Sequence, residues 1–122
     1  DVKDFKEEYF GDIVGVTRLD SEGPIHLVLR FNFNTGDPNQ DNAARRDYCY
    51  LRTKPFYPYI TFSNEDFVKQ NGYADATMDI IPNKELEWML LRYADTAKII
   101  CDGEFRDKMM NRIQDIVEKQ KE

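Results

Sequence analysis

Histidine and cysteine are scarce in this chain, which leaves little from which to build metal or thiol chemistry. The one histidine, His26, has no serine or cysteine motif that would set a nucleophile beside it. Cys49 and Cys101 form neither a Cys-x-x-Cys pair nor a disulfide framework, so both are expected as reduced core thiols of a cytosolic protein. No Cys/His cluster has zinc spacing, and the His-Glu-x-x-His, Gly-x-Gly-x-x-Gly and Walker-type phosphate motifs are absent. No apolar run approaches the ~20 residues that span a bilayer, and no signal-peptide core is visible, so neither a membrane partner nor export is expected. An excess of positive charge is lacking too. With a net charge of −6 the chain has no dense basic surface of the kind that neutralises duplex-DNA phosphates. Carboxylates are plentiful, but runs such as Lys6-Glu7-Glu8 have the character of a solvated face. Neither enzymatic activity nor a cofactor is expected.

What is present describes one globular domain. The chain has 122 residues, 41% of them hydrophobic and 13% aromatic, enough for a single core without disulfide or metal staples. Val2, Phe5 and Tyr9 at helical spacing predict a short amphipathic helix, and residues 1–19 are expected to form a connector to a preceding domain. The absence of an initiator Met agrees with a chain cut from something longer. The domain proper is expected over residues 20–122.

Its clearest strand alternates Ile25, Leu27, Leu29, Phe31 and Phe33 with His26, Val28, Arg30, Asn32 and Asn34, one buried face against one mostly polar face. After a polar loop at 34–42, Asp41 or Asn42 is expected to cap a helix to about residue 52, with Ala44, Tyr48 and Leu51 on one stripe. Lys54-Pro55 ends it. A second strand is expected over Tyr57 to Phe62, a loop with at most one helical turn over 63–73, and a third strand from Ala74 to Ile81. Pro82-Asn83 opens the strongest helix, with Leu86, Met89, Leu90 and Tyr93 in register. A short strand from Thr96 to Cys101 precedes a last helix to about Lys119, whose apolar face is Phe105, Met109, Ile113, Ile116 and Val117. This order predicts an α+β fold, a ferredoxin-like βαββαβ sandwich with an N-terminal connector helix and an extra C-terminal helix. Both crossover helices then cover one sheet face and leave the other open to solvent or to a partner.

One cluster rises above the background. Arg45, Arg46, Arg52 and Lys54 lie on or just after the first crossover helix, with Arg45 and Arg52 seven apart and so on nearly one side of it. Guanidinium forks match phosphate geometry, which makes the four a candidate effector-binding set. Tyr48, Tyr50, Phe56, Tyr57, Tyr59 and Phe62 crowd the same region, most as core and a few as a possible stacking surface. The candidate interface residues are His26, Val28 and Arg30 on the open sheet face, with the last helix as the other surface available for pairing.

Four segments, in order, resemble the C-terminal extension of WYL-domain transcriptional regulators. They are Phe5-x-x-x-Tyr9-Phe10-x-Asp12-x-x-Gly15-Val16, the strand His26-Leu27-Val28-Leu29-Arg30-Phe31, Thr53-Lys54-Pro55-Phe56, and Ile80-Ile81-Pro82-Asn83-Lys84-Glu85-Leu86-Glu87-Trp88-Met89-Leu90-Leu91 followed by Phe105-Arg106-Asp107-Lys108. Together they run from about residue 5 to residue 119. The resemblance implies a ferredoxin-like extension that forms a homodimer and transmits an effector signal to the WYL and winged-helix domains of the same full-length chain. It implies a nucleic-acid-type effector for some members, while the expected cytoplasmic location rests on the thiols and the lack of a membrane span or signal peptide. The winged helix and the WYL core are not in this sequence, and the stretches at 34–42 and 63–73 are longer than the family pattern. A small-molecule or single-stranded nucleic-acid binding module of ferredoxin-like fold is the alternative.

Overall fold

The computed structural model describes residues 23–121, so the connector expected over 1–19 lies outside the described residues. The fold is α+β. Among the described residues, a four-stranded antiparallel sheet in the order β2-β3-β1-β4 carries four helices: β1 (Ile25–Asn32), α1 (Pro38–Thr53), β2 (Thr61–Phe62), α2 (Glu65–Asn71), β3 (Tyr73–Ile80), α3 (Lys84–Tyr93), β4 (Ala97–Ile100) and α4 (Glu104–Lys121).

The two long strands set the frame. β1 and β3 pair along their whole length, from Ile25 opposite Ile80 to Asn32 opposite Tyr73. Strand side chains alternate between faces, so Leu27, Leu29 and Phe31 share one face with Ala74, Ala76, Met78 and Ile80. That face is the core. Ala44, Tyr48 and Leu51 of α1, Leu86, Leu90 and Tyr93 of α3, and Phe105 and Met109 of α4 complete it, all buried. The opposite face carries His26, Val28, Arg30, Asp75, Thr77, Asp79 and Lys98, none of them buried.

The structure corrects several boundaries. Helix α1 starts at Pro38, and its cap is Asp37, whose Oδ1 accepts from the Asn39 N–H at 3.0 Å. Proline suits the first helical position because its missing N–H would have no partner there. Asp41 has another role, accepting from the Thr35 N–H at 2.9 Å and the Thr35 hydroxyl at 2.6 Å. Asn42 lies inside the helix. The expected second strand shrinks to Thr61–Phe62. Pro55 and Pro58 cannot donate to a ladder, and Tyr57 is buried by packing, its hydroxyl donating to the Asp79 carbonyl at 3.2 Å. The expected loop at 63–73 contains the seven-residue helix α2, capped by Asn64, which accepts from the Phe67 N–H at 2.8 Å. Gly72 closes it in the left-handed region at φ 75°, and a Cβ there would sit 3.1 Å from that of Asn34. Cys101 is buried as expected, but Cys49 is exposed on α1 and is not a core thiol; neither is part of a disulfide among the described residues.

Helix α3 is capped by the fully buried Asn83, which accepts from the Leu86 N–H at 2.8 Å. Helix α4 is pinned at mid-length, where Arg112 donates to Glu87 at 2.9 Å and lies 5.2 Å from the Trp88 ring centre. Of its expected apolar face only Phe105 and Met109 are buried; Ile113 is half-buried, and Ile116 and Val117 are each 43% exposed. No helix of the described residues is long and apolar enough to cross a membrane.

Candidate functional site

Phe33 follows β1, and its side chain lies on the core side of the sheet against Tyr48 of α1. Tyr48 in turn meets Phe62 of β2, with both ring pairs 5.8 Å apart between centres and near perpendicular. Edge-to-face contact sets the positive ring edge against the negative ring face, and Phe33 and Tyr48, backed by Phe62, form an apolar floor. Burial pushes the Tyr48 phenol above its ordinary value of 10.0, and its hydroxyl points to the Ser63 carbonyl at 3.4 Å.

Cations stand around this floor. The Arg45 guanidinium lies 5.3 Å from the Phe33 ring centre and donates to the Phe33 carbonyl at 3.3 Å. The Arg52 guanidinium lies 5.8 Å from the ring centres of both Tyr48 and Phe62. These separations fall within the range in which a ring face attracts a cation. Seven residues of helix separate the two arginines by about 10 Å along the axis. Lys69 of α2 stands on the facing wall, with Glu65 one turn before it. The result is a groove between α1 and α2 made of two adjoining cavities of about 340 and about 390 Å³, which share Phe33, Val68 and Lys69. Gly72 forms part of its far end. Among the described residues, no carboxylate lies within ion-pair distance of Arg45, Arg52 or Lys69.

Of the four basic residues singled out in the sequence, the groove thus brings together Arg45 and Arg52. Arg46 is exposed, one position around the helix from Arg45, and does not line the groove. Lys54 serves as the α1 C-cap, its N–H donating to the Tyr50 carbonyl at 2.9 Å, and does not line it either. Lys69 escaped sequence reading because its stretch read as loop. The Asn64 cap and the Gly72 stop are the signals that mark α2 and put Lys69 opposite α1.

The candidate interface residues lie on the other side of the sheet. His26 Nδ1 is 2.9 Å from Asp79 Oδ1, and both side chains are more than half exposed. Arg30 donates through Nε and Nη2 to the two oxygens of Asp75 at 2.8 and 2.9 Å, and stacks 4.2 Å from the Tyr73 ring centre. This forked bond raises the Arg30 guanidinium above its ordinary value. Val28 lies between them, opposite Thr77 on one neighbour and Ile100 on the other. The groove and this face are bonded to each other. Ser63, a groove residue, takes the Asp75 N–H on its Oγ at 2.9 Å and donates its own N–H to the Asp75 carbonyl at 3.0 Å.

A third concavity, of about 300 Å³, opens among Arg30, Asn32, Thr35, Asp95 and Lys98. Its Arg30 is already committed to Asp75, and Asp95 opposes Lys98 in sign. Among the described residues, no group of three His, Cys, Asp or Glu side chains is placed to hold a metal ion. No protein-family model, curated protein or solved structure matches the chain.

Proposed function

We propose that this chain is an interaction and signal-transmitting module with no chemistry of its own. In this reading it is the ferredoxin-like C-terminal extension of a cytoplasmic transcriptional regulator of the WYL type. It pairs as a homodimer through the sheet face carrying His26, Val28 and Arg30, and it reads an anionic effector at the α1–α2 groove. The DNA-reading winged helix and the WYL core belong to the rest of the full-length protein.

The sheet order β2-β3-β1-β4 supports the fold half of this reading. With α1 joining β1 to β2 and α3 joining β3 to β4, each crossover passes one intervening strand, as a split β-α-β arrangement requires. Helices α2 and α4 are then additions to that frame. The charge layout of the open face supports pairing: His26, Arg30 and Lys98 lie on β1 and β4, and Asp75 and Asp79 on β3. A two-fold axis sets the same patch against itself in reverse, so a face with acidic and basic columns side by side is self-complementary.

The observation that carries the transmission role is the bond path Ser63–Asp75–Arg30, which ties the groove wall to the pairing face in two steps. The alternative, a free-standing small-molecule or single-stranded nucleic-acid binding module, is favoured by the groove alone and needs no second copy. Light scattering on the 122-residue chain between about one and a few hundred micromolar separates the two readings. A dimer that Val28→Glu dissociates without loss of the circular-dichroism spectrum is the expected result. A strict monomer across that range removes pairing from the reading.

A further inference from the structure

We infer that the α1–α2 groove takes a small organic anion that joins a flat ring to a single phosphate or carboxylate. This rests on the effector half of the reading above and is independent of its pairing half. Three features lead to it.

The first is an excess of positive charge. Arg45, Arg52 and Lys69 line the two adjoining cavities against the single carboxylate of Glu65, and Asp41 on the same helix offsets Arg45 only in part, without an ion pair, while the cations Arg30 and Arg112 on other surfaces are paired. The second is preorganisation. Arg45 and Arg52 are already seated against aromatic rings, and Arg45 is further tied to the Phe33 carbonyl, so less side-chain freedom is lost on binding. Each guanidinium has five N–H donors, and these contacts leave most of them available to an anion. The third is the floor itself. Phe33, Tyr48 and Val68 offer an apolar bed within cavities of about 340 and 390 Å³, at the lower end of the size that accepts a small ligand.

The same residues argue against a long polyanion. Glu65 stands on the groove wall and repels a second phosphate, while it accepts readily from an N–H or O–H on a ring. A chain with net charge −6 also gains little from extending the contact beyond the groove.

The test is titration of the ¹⁵N-labelled 122-residue chain with three probes: adenosine monophosphate, naphthoate and inorganic phosphate. Saturable shifts at the amides of Phe33, Ser63, Val68 and Gly72 are expected with at least one ring-bearing anion, roughly tenfold tighter than with phosphate. The tighter of the two ring-bearing probes identifies the preferred acid group. Arg52→Ala and Lys69→Ala should each weaken that affinity about tenfold, and Arg106→Ala, on an exposed turn of α4, should leave it unchanged. Equal affinity for inorganic phosphate, no saturable shift with any probe, or full affinity in both groove variants overturns the inference. Light scattering on the same samples keeps the two readings apart: a dimer that binds nothing sinks the groove alone, and a monomer that binds sinks pairing alone.

Discussion

At the residue scale, polar side chains in this protein are spent on helix ends and on the sheet, and burial sets the phenols apart. Asp37, Asn64 and Asn83 each accept a backbone N–H at the start of a helix. Tyr48, Tyr57 and Tyr93 are buried, and for each of them burial is the main cause that lifts the phenol above its ordinary value of 10.0. A pKa raised on folding means that the stabilisation is complete below the unfolded-state pKa and is lost as pH rises through the folded value. The three phenols are therefore expected to remain protonated past pH 10.0 in the native state and to ionise together with unfolding. Tyrosinate absorbance and far-ultraviolet circular dichroism followed in one alkaline titration check this. Phenolate signal from all seven tyrosines while the dichroism is still native would contradict it.

Elements differ in how far the sequence revealed them, and the difference follows from what holds each one. β1, β3 and α3 are stabilised by burying a periodic set of side chains, so the alternation of Leu27, Leu29 and Phe31 and the spacing of Leu86, Leu90 and Tyr93 announced them. Helix α2 buries no residue fully and is defined by its Asn64 cap and its left-handed Gly72, signals carried by single residues that no periodicity repeats. The aromatic run before Phe62 resembled strand because aromatics favour strands, but two prolines and the packing of Tyr57 claim it instead. The groove was legible by halves for the same reason: α1 showed Arg45 and Arg52, and the wall bearing Lys69 depended on α2. In α4 the pattern continued past its burial. Met109→Ala is accordingly expected to destabilise the fold by about 2–5 kcal/mol, because it leaves a cavity in the core. Ile116→Ala, on the exposed part of the same stripe, should stay within about 0.5 kcal/mol in the monomer. Urea unfolding of the two variants makes the comparison, and a large loss for Ile116→Ala would mean that the stripe has a partner in solution.

At the scale of the whole molecule, the sheet is both partition and connection. Its helix-covered face carries the core and borders the groove, and its opposite face, which none of the described helices covers, carries the charged ladder. Ser63 spans the two by gripping the Asp75 backbone, while the Asp75 carboxylate grips Arg30. Coupling between sites requires an element whose arrangement both sites bias, and this strand pair is the candidate. If the chain pairs through this face as proposed, Ser63→Ala should weaken that self-association several-fold by loosening Asp75, at a stability cost of only about 1 kcal/mol. Sedimentation equilibrium of the variant beside the parent measures it. An unchanged association constant would sever the groove from the sheet face.

Trp88 is the chain's single tryptophan; it is 66% exposed, and the Arg112 guanidinium rests against its ring. Its emission therefore reports the seam between α3 and α4 and is nearly blind to the core beneath. The indole loses the Arg112 contact if α4 parts from α3. Fluorescence and circular dichroism need not trace the same transition on heating, and the gap between them is an optical gauge of how firmly the last helix is held.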